Sequence, residues 1–411
     1  MKNVMKAATV AAVWAAISTA MATNGDNLIG VGPVSRGMGG VGVASPQDSV
    51  SAIFINPAGM NVCPCGAKSE AVFGSTIFDP SVDAKISTPM GAYSGSSQHD
   101  FFIIPAMGVT MPINDTWRFG IGAYGISGLG VDYRNMGWDL DGDPSNGFEG
   151  DLYSRLEVMK FSPMLSYKVS DRLSVGAALQ AAYNNLDLGA GGTHDYAYGA
   201  QVGLVYALSQ WQFGLSYTTP QKATFDRVYN FDGFTGSTSM DSLDLESPAS
   251  YVAGVAFQPT KRLVLELDGK YYDWANADGY SDFDWDSQTV IAGGIQYIVT
   301  ETVTARVGFN YGKNPVNEHN GFDPMGVTEI QGKQVPTLGY ELLRTVGFPA
   351  VTETHLTLGM GIKLTQTCTL NLDYKHAFEK TISESSAGDA FKLESSLAED
   401  AYGFSLSWQF E

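Results

Sequence analysis

The sequence lacks any uninterrupted apolar run of the roughly 18 to 20 residues that a membrane-crossing helix needs. Its longest such stretch lies near the start, from Ala7 to Ile17, and is too short to span a bilayer. Basic residues are few as well, 24 Lys and Arg against 43 Asp and Glu, for a formal net charge of −19. That balance excludes a nucleic-acid binder, which needs cations to displace phosphate counterions. Cysteine is scarce, with three residues in 411, so the chain is no disulfide scaffold. Cys63 and Cys65 form a Cys-Pro-Cys and Cys368 stands far away; one bridge or none fits that spacing. The five histidines are scattered, none in H-E-x-x-H, and no serine occupies a G-x-S-x-G elbow. No linker or shift of composition divides the chain into separate domains.

The first 22 residues, Met1 to Ala22, carry Lys2 and Lys6, the short apolar run, and Ala20-Met21-Ala22. Together these make a secretory signal peptide cleaved after Ala22. Its removal leaves 22 basic against 43 acidic residues, a mature charge of −21. An exported chain without a spanning helix is either soluble or a closed barrel.

What is present in abundance is alternation. In Leu173 to Tyr183 the odd positions are apolar, while Ser174, Gly176 and Gln180 lie between them. The pattern recurs at Leu263, Leu265 and Leu267 against Glu266, Asp268 and Lys270, at Val303 to Tyr311 against Arg306 and Asn310, and at Leu370 and Leu372 against Asn371 and Asp373. Charges on the second face are costly in lipid and tolerated in a wet lumen. Short turns alternate with long polar loops, the two rims of an outer-membrane barrel. The long ones are Pro80 to Gln98, Asp132 to Asp151, Phe231 to Ser247, Asn276 to Asp286, Lys313 to Val351 and Lys380 to Glu399. Counting strands gives fifteen unless Trp211 to Tyr217 and Lys222 to Tyr229 fuse into one strand bent at Pro220. A closed antiparallel sheet needs an even number, so fusion and about fourteen strands are expected. The last strand sets Tyr402, Phe404, Leu406, Trp408 and Phe410 on one face.

Ahead of the strands, residues 23–68 read differently. Gly30-Val31-Gly32-Pro33, Gly37-Met38-Gly39-Gly40-Val41-Gly42 and Asn56-Pro57-Ala58-Gly59 make neither a helix nor a strand. A fourteen-stranded barrel is too wide for its own side chains to fill. Residues 23–68 are therefore expected as a plug, or hatch, inside a barrel of residues 69–411. The two G-x-G-x-x-G matches, at Gly37 and Gly120, neither follow a strand nor open a helix, and read as flexible backbone. Asp139-Leu140-Asp141-Gly142-Asp143 has its glycine two positions early for an EF-hand, so it reads as a solvated acidic loop, with loosely bound surface calcium as the alternative. No metal or cofactor is expected.

The residues then resemble a known family. The approach Ser35-Arg36-Gly37-Met38-Gly39-Gly40, the motif Asn56-Pro57-Ala58 straight after a signal peptide, Tyr271-Tyr272-Asp273-Trp274 and Asn314-Pro315-Val316 are similar to the FadL/TodX-type outer-membrane transporters of hydrophobic compounds. The resemblance implies a passive transporter of long-chain fatty acids, or in some members of aromatic hydrocarbons. It also implies a hatch inside the barrel and a kink in the third strand that opens the wall sideways. Here that strand is Trp117 to Val131, and Ser127 and Gly128 stand nearest the kink. The chain departs from the family's type member in the short turn Asp187 to Asp195, where a long helical loop builds an outer ligand groove.

Strand Phe101 to Met111 is apolar on both faces, so Phe102 and Ile104 are expected to point inward. They would form a ligand pocket with Leu28, Ile29 and Val31 of the plug. For a carboxylate head the inward cations are Lys160, Lys270 and Arg306, with Arg36 on the plug. Salt bridges to Glu266 or Asp268 are the expected structural alternative for each. The expected function is inward passage of long-chain fatty acids or similar hydrophobic molecules across the Gram-negative outer membrane. The expected surroundings are outer-membrane lipid and lipopolysaccharide, with no enzymatic step. The alternatives are an aromatic-hydrocarbon channel of the same fold and, in a different class, an adhesin or structural barrel. A phospholipase would require a serine and a histidine brought together on the wall.

Overall fold

Alternation of apolar and polar side chains drives the chain into strands whose two faces meet different solvents. The computed structural model describes residues 23–64, 68–138 and 152–410. The signal segment 1–22, Cys65 and the acidic stretch Asp139 to Asp143 lie outside them. Seventeen strands share one hydrogen-bonded sheet, of which three are short: Thr23–Asn24 and Asn27–Leu28 in the plug, and Gly91–Ser96 in a loop. The other fourteen form the wall. They are β1 (Ser69–Thr88), β2 (Phe102–Pro112), β3 (Trp117–Asp132), β4 (Tyr153–Lys168), β5 (Leu173–Asp187), β6 (Thr193–Leu208) and β7 (Trp211–Thr218). After these come β8 (Ser250–Thr260), β9 (Leu263–Tyr272), β10 (Gln288–Ile298), β11 (Val303–Gly312), β12 (Thr354–Lys363), β13 (Cys368–Ser385) and β14 (Lys392–Phe410). Each pairs antiparallel with the next, and β14 closes on β1 from Phe410↔Ser69 to Lys392↔Ser87.

The faces divide as the alternation requires. Leu179, Leu215, Leu267, Ile291 and Leu358 are exposed on the outside, while Gln180, Glu266, Asp268, Asn310 and Asp373 are buried within. Aromatic pairs such as Trp117 on Tyr167 and Trp211 on Phe257, 4.6 and 4.4 Å between centroids, mark one rim. Tyr217, Tyr251 and Tyr271 mark the other. Such girdles sit at the two membrane interfaces. Among the described residues no helix is long and apolar enough to cross a membrane.

Two details differ from expectation. Gln221–Tyr229 is not the upper half of a bent strand; it leaves the wall after Pro220 and pairs with Asp241–Ser247 as a separate hairpin. The count is still fourteen, because the second segment never joins the ladder. Residues 80–98 and 380–399 are largely strand: β1, β13 and β14 continue well above the neighbouring strands, and Gly91–Ser96 folds back on β1. The turn after β5 is short, residues 188–192.

Candidate functional site

The lumen is filled by the glycine-rich segment, whose residues 23–46 are all buried. Two short helices give it shape: α1 (Pro33–Arg36), with proline at its start, and α2 (Ser49–Ile55), capped by the Asp48 carboxylate accepting from Ser51 N at 2.8 Å. Gly40 has φ +82, and a Cβ there would lie 1.8 Å from the Ile29 carbonyl oxygen, so only glycine fits.

Irregular backbone cannot satisfy its own polar groups, and here the wall does so. Asp268 accepts from Gly42 N and Val43 N at 3.0 and 3.2 Å, and Glu266 accepts from Ala44 N and Ser45 N at 2.8 and 3.0 Å. Lys270 Nζ donates to the Ile29 and Gly40 carbonyls, both at 2.8 Å. Asn310 Nδ2 donates to Gly39 O, and Gln201 Nε2 donates to the Phe54 and Ile55 carbonyls. Arg36 makes a buried fork with Asp373, Nε to Oδ2 at 2.6 Å and Nη2 to Oδ1 at 2.7 Å. Salt bridges from the inward cations to Glu266 or Asp268 are therefore not the main arrangement. Those carboxylates hold plug N–H groups instead, and Arg36 goes to Asp373.

The motif Asn56-Pro57-Ala58 has a mechanical role in this packing. Asn56 Oδ1 accepts from Ala58 N at 3.0 Å, while Nδ2 donates to Val43 O at 2.7 Å and Leu204 O at 3.1 Å. The asparagine thus caps the short helix Pro57–Asn61 and ties it to both plug and wall. Wall glycines make room: a Cβ on Gly203 would lie 1.9 Å from Asn56 Oδ1.

Nearby, the third strand breaks register. The β3–β4 ladder shifts between Gly125 and Ser127, leaving Ile126 as a bulge. The β2–β3 ladder ends at Ala106↔Tyr124, with Pro105, which has no N–H, standing next. Beyond the break β3 turns to the plug: Ser127 pairs with Asn27, and Gly128 N donates to Asp26 O at 3.3 Å.

Leu28, Val31, Phe102 and Ile104 pack in one apolar cluster with Ile53, Phe78 and Tyr124 beside this break. Ile29 is buried but lies outside the cluster. A cavity of about 60 Å³ lies between plug and wall, lined by Asn27, Phe54, Tyr124, Ile126, Lys160 and Gln180 among others. Lys160 is thus at this site. Arg306 is not: it lines a polar vestibule with Asp48, Glu70 and Lys363, and bonds Gln296 and Asn371 at 2.7 and 3.2 Å.

A second, apolar cavity lies on the far side of Asp26 and was not read from the sequence. Leu129 and Leu156 of the wall line it with Leu243 and Leu245 of the hairpin, Phe283, Trp285 and Phe348. Its polar members are engaged: Tyr280 OH donates to Asp26, and Arg344 Nη1 donates to Glu384 at 2.6 Å. The alternation Leu243, Leu245 and the aromatics at 274–285 were the available signals. Cys368 is a free thiol, so it makes no bridge to Cys63.

A closed fourteen-stranded antiparallel barrel, with an irregular N-terminal segment packed inside it, is the architecture of an outer-membrane barrel. Residues 9–194 match the model of a family described as outer membrane protein transport protein (OMPP1/FadL/TodX). That match supports, over this part of the chain, the resemblance read from the sequence, and the chain is an outer-membrane barrel protein. No curated protein sequence matches it. Among solved structures, the Pseudomonas putida toluene transporter TodX is similar with a TM-score of 0.68 at 19% identity, covering 93% of this chain and 99% of that one. A Pseudomonas aeruginosa FadL homologue gives 0.67 at 15% identity over 94% and 100%. The Ralstonia pickettii toluene transporter TbuX gives 0.64 at 17% over 93% and 99%. At these identities the likeness establishes the fold.

Proposed function

We propose that this barrel carries hydrophobic molecules with an anionic head, of the long-chain fatty acid class, passively inward across the outer membrane. The observation that carries the reading is Lys160. Its side chain is 4% exposed and lines the cavity beside the plug. Among the described residues its ammonium makes no hydrogen bond, and Asp26 is its charged neighbour. Arg36 on the plug and the inward wall cations Lys270 and Lys375 are committed to Asp373, to backbone carbonyls and to Glu399. A buried cation without a hydrogen-bonded partner is costly, and a cargo carboxylate would offset that cost. The apolar upper cavity favours a second reading, a neutral aromatic hydrocarbon, because Asp26 and Arg344 offer a head group nothing there.

The two readings separate in one variant. Charge-assisted hydrogen bonds contribute about 1.5–3 kcal/mol, so Lys160→Met should weaken fatty-acid binding roughly ten- to hundredfold. Toluene binding should be unchanged. Equal affinity of both proteins for labelled oleate would remove the head-group role and favour the hydrocarbon reading.

Cargo would enter through the upper cavity, pass Asp26 and Asn27, and leave sideways between β2 and β3 into lipid. Such passage down a gradient requires no catalytic group. The outward aromatic rims would seat the barrel in phospholipid and lipopolysaccharide. An adhesin, the alternative of another class, has no use for a plug bound to the wall by buried charge.

A further inference from the structure

Above the plug, two extracellular segments meet over the apolar cavity. One is the arm 274–286, which turns Tyr280, Phe283 and Trp285 toward the cavity. The other is residues 313–353, which carry the hairpin Val327–Ile330 with Lys333–Pro336, the helix α3 (Thr337–Leu342) and the turn Leu343–Gly347. His319 joins them. Its Nε2 lies 2.7 Å from Asp284 Oδ2 on the arm, and its Nδ1 lies 3.0 Å from Glu341 Oε1 on α3. The ring stacks on Tyr340 at 18° between planes, and Tyr340 in turn stacks on Phe283. The backbone of His319 is held from a third side, N to Glu384 Oε1 at 3.0 Å, where Glu384 also takes Arg344.

A neutral imidazole has one N–H, and here both ring nitrogens face carboxylate oxygens. Closed geometry therefore holds an extra proton, on the ring or on one of the acids. Without it, a nitrogen lone pair and a carboxylate oxygen are pressed together 2.7 to 3.0 Å apart.

We propose that His319 is a proton-controlled clasp, which shuts the arm 274–286 over the apolar cavity and releases it when the proton leaves. The groups facing it are Asp284 from the arm, Glu341 and Arg344 from the helical segment, and Glu384 from β13. Arg344 opposes the imidazolium: its Nη atoms donate to Glu384 and the Asn317 carbonyl, and its Nε lies 3.5 Å from Glu341 Oε2, where it favours the charged carboxylate. Burial alone would lower the His319 value; the hydrogen bonds to Asp284 and Glu341 outweigh it and raise it. Burial pushes Glu341 up to about 7. Both shifts have one sign. The closed state binds protons more tightly than the open one, so closure is complete in acid and is lost as pH rises through the raised values. The clasp holds whichever cargo the barrel carries, and its failure would leave the transport reading untouched.

The test is hydrogen exchange of residues 274–286 in the intact, membrane-reconstituted protein from pH 5 to 9, expressed as protection factors so that intrinsic exchange divides out. The opening constant should rise with pH, by at most about tenfold per unit for each proton, between the open-state and the raised closed-state values, and level off above them. His319→Gln should flatten the rise, leaving at most the smaller contribution of Glu341. Asp284→Asn, which keeps the ring but removes one carboxylate, should move the transition to lower pH. Protection that does not fall with pH in the unmodified protein would overturn the clasp. So would the same pH profile in Asp284→Asn and the unmodified protein, an arm readable even if His319→Gln fails to assemble.

Discussion

In an Arg36→Met variant the plug is expected to part from the wall and the barrel to conduct ions. The Arg36–Asp373 fork is fully enclosed, with side-chain exposures of 2% and 0%. Removing one partner of such a pair costs about 3–5 kcal/mol, because the other charge stays buried and unpaired. That shifts the equilibrium between seated and unseated plug by roughly two to nearly four orders of magnitude. Planar-bilayer recordings should show conductance well above that of the unmodified protein, while slow gel migration without heating confirms that the barrel still assembles. The pair replacement Arg36→Met with Asp373→Leu leaves no orphan charge and should restore a quiet barrel, since exchanging a buried pair for apolar groups is often neutral. If Arg36→Met is as quiet as the unmodified protein, the fork does not hold the plug.

The inward charges of this barrel were visible in the sequence, and their partners were not. Glu266, Asp268 and Lys270 stand at alternate positions of β9, which fixed them to the lumen face. Alternation says nothing of what a lumen charge meets. Most of what they meet is plug backbone, where the acceptor or donor belongs to Gly40, Gly42, Val43, Ala44 and Ser45 whatever their side chains. A carboxylate bound to a main-chain N–H leaves no complementary residue type to find. Ion pairs with each other are the natural reading of the sequence for that reason, and among the described residues only Arg36, paired to Asp373 across 337 positions, is an ion pair of plug and wall.

Glycine was legible as flexibility, but its use here is mostly clearance. Gly403 on β14 is extended strand, yet a Cβ there would lie 2.0 Å from Arg36 Nη2 and from Asp373 Oδ1. Gly308 leaves the same room for Gly39 N, and Gly214 for the Val43 carbonyl. These positions alternate into the lumen like any inward residue, so a reader of the strand sees a weak ladder, not a seat for a plug. The strand count came out even for a different reason than the one assigned at Pro220. Both explanations place a proline where the wall ladder stops, since it has no N–H to continue it. Which way the chain then goes depends on Phe225 and Leu243 finding the apolar cluster above the plug, a tertiary contact.

Closing the gap between β2 and β3 by a covalent bond is expected to abolish uptake. Cargo leaving through the periplasmic mouth would meet the polar vestibule and then water, at about 0.8 kcal/mol for each exposed CH₂. For a sixteen-carbon chain the sum is roughly 10 kcal/mol, enough to make a sideways exit into lipid the dominant route. The exit we propose lies where the β2–β3 ladder ends at Ala106↔Tyr124 and β3 bulges at Ile126. A Cβ built on Gly125 would stand 4.0 Å from Ile104 Cβ across that gap. This is within the range a disulfide bridges, so Ile104→Cys with Gly125→Cys, in a Cys368→Ser background, should cross-link on oxidation. The oxidised protein should still bind labelled oleate, and cells carrying it should take up none until a reductant opens the bond. Uptake at the same rate before and after reduction would mean that cargo leaves elsewhere, and the break in the third strand would then serve only to seat Asn27.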